Sequence, residues 1–152
     1  MDIWGTADSC HFVSQTISGD FELIARVASL QGVNEWSKAG LMVRTSNEPG
    51  ARCLSVVMSA AHGIAHQRRL EDKAATTSTK LDLGAAPHWL RITRSGDTLT
   101  GFESNDGITW METGVETFAK LPAAVPVGLA VTSHDNAATA TATFDRVQLK
   151  TP

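Results

Sequence analysis

Apolar and polar residues alternate with a period of two along almost the whole chain, which is the signature of half-buried β-strands. "CHFVSQ" runs into a Ser18-Gly19-Asp20 turn, and "FELIARVASL" then places Phe21, Leu23, Ala25 and Val27 on one face. "AGLMVRTS" stops at Asn47-Glu48-Pro49-Gly50, where Pro and Gly break pairing. "RCLSVVMSA" and "GIAHQRRL" follow, separated by Ala61-His62-Gly63. "HWLRITR" turns through Ser95-Gly96-Asp97 into "TLTGFES", which turns through Asn105-Asp106-Gly107 into "ITWMET". "VGLAVTS" and "TATATFDRVQL" complete the set, divided by His134-Asp135-Asn136. The pattern predicts an all-β chain, an antiparallel β-sandwich of about eleven or twelve short strands in two sheets. No segment carries a 3.6-residue apolar stripe, and "RRLEDKAATT" reads as a loop or edge strand. The Thr/Ala run from Ala137 to Thr143 reads as a strand, because Thr is β-branched and alternate Ala leaves room for a facing layer.

With 152 residues, 42% of them apolar and 19% charged, the chain has the make-up of one soluble globular domain covering residues 1–152. A net charge of −3 supplies no basic face to replace counterions, so nucleic acid is excluded as a partner. The longest uncharged stretches are broken by Pro and Gly, as in "LPAAVPVGLAVTS", which excludes membrane insertion through a helix. No basic-then-apolar leader opens the sequence. Cys10 and Cys53 are the only cysteines, and both lie in alternating apolar segments. They are read as small packing residues ahead of a disulfide, whose geometry a sequence cannot test.

Five blocks in order, "DIWGTADSCHFV", "SGDFELIARV", "WSKAGLMVR", "WLRITRSGDTLTGFESNDGITW" and "VGLAVTSH…ATATFDRV", resemble the concanavalin A-like, laminin-G-like jelly-roll modules of bacterial secreted proteins. The resemblance runs nearly end to end. It implies two curved antiparallel sheets packed face to face, in a secreted or surface module excised from a larger chain. It also implies carbohydrate as the partner, with the module attached to a catalytic or surface domain. Members of this group often carry Phe where this chain has Cys10, which agrees with a packing role there.

"SNDGITW", Ser104 to Trp110, comes within one residue of the Asp-box of sialidase-like propellers. The spacing is short by one, and the motif occurs once in a chain too short for four blades of roughly 40 residues. It reads instead as a hairpin turn in which Gly107 supplies positive φ and Trp110 anchors the returning strand.

Catalysis finds no support. A retaining glycosidase needs two carboxyl groups about 5–5.5 Å apart. Here Glu71 and Asp72 are adjacent and face opposite ways, Glu103 and Asp106 flank a turn, and Gly114 separates Glu112 from Glu116. The E-x-D-x-x-E strand motif of laminarinase-like jelly rolls is missing, and a chain without Tyr lacks the acid or base that jelly-roll lyases use. No G-x-S-x-G elbow is present. The five histidines (His11, His62, His66, His88 and His134) form no zinc spacing beside a carboxylate. No cofactor is required. A structural calcium, which takes oxygen ligands from strand ends, has Asp145 and Asp20 as first candidates if their strands are neighbours; the alternative is that both are solvated turn residues.

Sugar recognition calls for planar polar groups facing hydroxyls and an aromatic face for the ring C–H surface. "AGLMVR" places Met42 and Arg44 on one face, and "GIAHQRR" places Gln67 and Arg69 on one face with His66 and Arg68 on the other. Polar residues so dense on a strand suggest a sheet face that does more than pack. Arg44, Gln67 and Arg69 are expected together on the concave sheet, with His66 among the candidates on the alternate face and Trp36 as the stacking residue. Gln67 and Arg69 also fit a Q-x-R pattern that the resemblance implies for this strand. The alternative is that the arginines pair with Glu71, Asp72 or Glu103 as surface ion pairs. Trp4, Trp89 and Trp110 read as structural. The function expected is a non-catalytic carbohydrate-binding module accessory to a carbohydrate-active enzyme; the alternative is a structural, protein-interaction or adhesion domain of a secreted or surface protein.

Overall fold

The computed structural model describes residues 2–81 and 84–152. Among these residues alternation becomes thirteen strands, in the order β1 (Ile3–Trp4), β2 (Ala7–Asp8), β3 (His11–Ser18), β4 (Phe21–Gln31), β5 (Lys38–Arg44), β6 (Cys53–Ser59) and β7 (Ile64–Arg69). The rest are β8 (Thr77–Lys80), β9 (His88–Ser95), β10 (Thr98–Ser104), β11 (Met111–Thr117), β12 (Ala124–Thr132) and β13 (Thr141–Lys150). Two antiparallel sheets face each other, one of five strands ordered β11-β10-β9-β4-β13 and one of six ordered β3-β12-β5-β6-β7-β8. The pair β1-β2 forms a separate small hairpin. The fold is the expected antiparallel β-sandwich, with the hairpin as an addition that alternation over two-residue strands is too short to show.

The core lies between the sheets and takes every second residue, as period two requires. From the five-stranded sheet come Phe21, Leu23, Ala25, Val27, Leu90, Ile92 and Leu99, and from the other come Leu41, Val43, Leu54, Val56, Met58, Val125 and Val127. On β4 and β9 the intervening residues are half-exposed, giving the clean one-sided pattern of a solvated sheet. β5 and β6 depart from it, since all seven residues of each are buried. Their inner faces meet the core, and over their outer faces Ile3 of β1 packs on Met42 and Ala130, with Cys10 and Phe12 against that cluster. Cys10 and Cys53 are both free, in keeping with packing roles.

Two local expectations change. The Ala137–Thr143 run is strand only from Thr141 onward; Asp135 closes the preceding turn by accepting the Ala137 N–H at 2.8 Å. Within "RRLEDKAATT" the chain loops between Arg69 and Thr77, where the edge strand β8 begins. The "SNDGITW" turn is as expected, with Gly107 at φ 75°. Asp106 accepts N–H bonds from Ile108 and Thr109, both at 2.8 Å, and a hydroxyl bond from Ser104 at 2.9 Å. The Thr109 and Ile108 N–H groups, then the Ser104 hydroxyl, hold the Asp106 carboxyl below its ordinary value.

Candidate functional site

Parity across the six-stranded sheet decides which side chains can meet. Arg44 pairs with Cys53, and Cys53 with Arg69, while Ser55 pairs with Gln67 and Gln67 with Ser78. Arg44, Gln67 and Arg69 therefore share the outer face, as expected, in two adjacent rows. That face is not open throughout, because the β1-β2 hairpin lies over one end of it.

The two arginines hold that hairpin down. Arg44 Nη1 donates to Asp8 Oδ2 at 2.5 Å, and Arg69 donates to the same carboxylate through Nη1 at 2.8 Å and Nη2 at 3.0 Å. The remaining Arg69 N–H groups reach Ala74 O, Ala51 O, Gly5 O and the Thr76 hydroxyl at 2.9–3.1 Å. Arg44 is also bonded to Ser46 O and Glu48 O. Arg69 is 0% exposed and Arg44 4%. Both guanidiniums are committed inside the protein and are not available for the saccharide contacts expected of them. Their carboxylate is Asp8, not Glu71, Asp72 or Glu103, and the pairs are buried rather than superficial. Burial, with the Asp8 charge beside it, pushes the Cys53 thiol up to about 12.

His66 also leaves the candidate set. Its ring points between the sheets, with Nδ1 2.8 Å from Thr113 Oγ1 and Nε2 3.1 Å from Glu116 Oε1. Gly101 and Gly114 make room for it, since a Cβ on either would come within 2.9 Å of a ring nitrogen. Burial lowers the His66 pKa, with the Glu116 hydrogen bond acting in the opposite sense. Glu103, for its part, is buried against His88, with Oε2 2.5 Å from Nε2.

What remains on the outer face is a cleft of about 290 Å³ beyond the clamped end of the hairpin. Trp4 and Asp2 form one wall, Trp36 and Lys80 another, and Lys38, Gln67, Ser78 and His134 complete the lining. Gln67 and Trp36, both candidates from the sequence, thus line the same cleft. Trp36 stacks on His62 with centroids 3.7 Å apart, and Lys80 Nζ sits 4.3 Å from the Trp36 centroid. Trp4, read from the sequence as structural, is 44% exposed and lines the cleft. Alternation could not have found it, because its placement depends on a hairpin fixed by the distant Arg44 and Arg69.

The floor of the cleft is polar and incompletely bonded. Gln67 Oε1 and Ser78 Oγ are buried with no hydrogen-bond partner among the described residues, as is Ser55 Oγ beside them in the same row. Lys38 Nζ donates to Asp2 Oδ1 at 2.8 Å and to Ile3 O at 3.3 Å. His134 Nδ1 lies 3.0 Å from Asp2 Oδ2, near enough for an ion pair yet off hydrogen-bond geometry. Among the described residues Asp2 is the only carboxylate in the cleft lining.

The calcium candidates do not converge. β4 and β13 are neighbours, but Asp145 stands opposite Arg26, six positions along β4 from Asp20, a separation of about 20 Å. Arg26 grips Asp145 through two hydrogen bonds, and Asp20 accepts the Gly96 N–H at 2.9 Å. Among the described residues no group of three or more His, Cys, Asp or Glu is placed to hold a metal.

No family model matches the sequence, and no curated protein does. Solved structures do resemble the fold. A functionally unknown protein from Saccharomyces cerevisiae is 22% identical with a TM-score of 0.78, over 99% of this chain and 83% of that one. The GH43 protein BlXynB from Bacillus licheniformis is 15% identical with a TM-score of 0.77, over 96% of this chain and 32% of that one. The carbohydrate binding module CBM66 from Bacillus subtilis is 15% identical with a TM-score of 0.64, over 97% of this chain and 86% of that one. At such identities the likeness is one of fold, and it makes this chain an antiparallel β-sandwich similar in architecture to a carbohydrate-binding module.

Proposed function

We propose that the chain is a non-catalytic carbohydrate-binding module and that the cleft between Trp4 and Trp36 is its site. The observation that carries this reading is the buried, unpartnered Gln67 Oε1, with Ser78 Oγ beside it, on the floor of a cleft walled by two tryptophans. A buried acceptor without a partner costs about 1–3 kcal/mol, a debt that a ligand hydroxyl can cancel. Exposed indole supplies the apolar surface that a sugar ring stacks on. A non-catalytic role agrees with the single carboxylate that the described residues bring to the cleft, Asp2, already engaged by Lys38, where glycoside hydrolysis calls for two. The fold likeness to a carbohydrate-binding module points the same way. The likeness to BlXynB spans 32% of that longer chain, in keeping with an accessory unit attached to a catalytic domain in a secreted protein. No cofactor enters this reading.

The test is glycan-array screening followed by calorimetry on the hits. Saturable binding is expected, weakened ten-fold or more by Trp4→Ala and by Gln67→Ala, with the folded state intact by circular dichroism. A blank array of plant, algal and microbial glycans would remove the reading.

A further inference from the structure

Resting on the carbohydrate reading, the charges in the cleft narrow the class of ligand. Lys38 is 3% exposed, and its ammonium is already bonded to Asp2 and to Ile3 O. Asp2 in turn has Lys38 on one oxygen and His134 beside the other. Those groups balance one another. Lys80 is different: it is exposed on the edge strand β8, and among the described residues it has no carboxylate partner. Its ammonium stands over the Trp36 ring, and an exposed cation–π contact is weak enough to be exchanged for a better partner. Among the described residues the cleft therefore carries one uncompensated positive charge at its rim, above a floor with the unpartnered Gln67 Oε1 and Ser78 Oγ.

The arrangement of aromatic surface agrees. His62 covers one face of Trp36 and Lys80 stands over the ring, so Trp36 serves as a wall while Lys80 is in place. Trp4, nearly half exposed, offers the more open indole, with Lys38 Nζ 5.8 Å from its centroid. A ring lying on Trp4 with a hydroxyl directed to Gln67 has Lys80 across the cleft from it. We propose that the ligand of this cleft is an anionic saccharide, one whose ring bears an acidic substituent that Lys80 binds while Gln67 and Ser78 bind its hydroxyls. A charge-assisted bond from an ammonium to an anion is about twice as strong as a neutral one, enough to separate acidic from neutral rings of the same shape.

The experiment measures binding of the full chain to matched pairs of oligosaccharides, galacturonate against galactose and glucuronate against glucose, with a sulfated galactose oligosaccharide to separate carboxylate from sulfate. At low salt at least one acidic member is expected to bind ten-fold or more tightly than its neutral counterpart. The preference should shrink in 0.5 M NaCl, where screening reaches about 4 Å. Lys80→Gln should remove the preference, and Lys80→Arg should retain it. Neutral oligosaccharides that bind as tightly as their acidic partners would overturn the charge inference and leave the carbohydrate reading standing. If no saccharide, acidic or neutral, binds, both fall.

Discussion

Removing the Asp8 carboxylate is the sharpest test of how this sandwich is held together. In the native protein it accepts three charge-assisted hydrogen bonds from two buried guanidiniums, and its side chain is 2% exposed. Asp8→Ala leaves Arg44 and Arg69 charged and buried, each still bonded to backbone carbonyls but without a counter-charge. Breaking a buried ion pair from one side costs about 3–5 kcal/mol. The surviving carbonyl partners place this case at the lower end, about 3 kcal/mol. For 152 residues, unfolding entropy is roughly 0.3 kcal/mol per kelvin at the midpoint, so Tm should fall by about 9–10 °C. Urea unfolding followed by circular dichroism gives the free energy, and differential scanning calorimetry gives Tm. Asp20→Ala is the control: Asp20 is exposed, and its loss should stay within about 1 kcal/mol. Because Asp8 fixes the hairpin that carries Trp4, the same variant should make tryptophan fluorescence more accessible to a soluble quencher. A Tm within about 3 °C of the parent would refute the clamp, since it would mean that the two arginines need no shared anion.

Two further outcomes follow from the buried groups. His66 has a folded-state pKa below its unfolded value, so the unfolded chain binds more protons and stability should decline as pH falls from about 6.5 toward the folded pKa, then level off for this group. His66→Gln should flatten that part of the pH-stability profile measured by urea titration; an unchanged slope would assign it to other residues. The Cys53 thiol, pushed up to about 12 and buried, should resist a thiol reagent at pH 8 in the folded protein and react once urea unfolds it. Rapid modification of Cys53 in the native state, located by mass spectrometry, would show that the face beneath the hairpin opens.

How much of this was legible beforehand can be read from particular residues. Phe21, Leu23, Ala25 and Val27 alternate because a pleated strand points successive side chains to opposite faces, and all four are in the core. The same parity put Arg44, Gln67 and Arg69 on one face, away from His66. The turn at Asn105-Asp106-Gly107 was equally plain, since one glycine in the left-handed region and one aspartate accepting nearby N–H groups suffice to make it. Such features depend on neighbours a few residues apart, and a linear sequence records those directly. It could also supply Gln67 and Trp36 as separate candidates, one within a strand that the pattern marks and one in the loop before another.

What covers a sheet face is a different kind of fact. Arg44 and Arg69 had the right orientation for a ligand, but Asp8, 36 and 61 residues away, reaches them first through the β1-β2 hairpin. That contact turns two candidate binding residues into structural ones and moves Trp4 from apparent packing to the wall of the cleft. Asp20 lies just before β4 and Asp145 on the neighbouring β13, yet strand register keeps them about 20 Å apart. The sequence by itself determined the longer strands, their faces and most of their turns, though not β1, β2 or the start of β13, since period two and local turn chemistry act within a few residues. Only the tertiary structure decided which polar groups on the outer face are buried under the hairpin and which remain open in the cleft, because burial depends on the segment that packs above a residue and not on its neighbours in the chain.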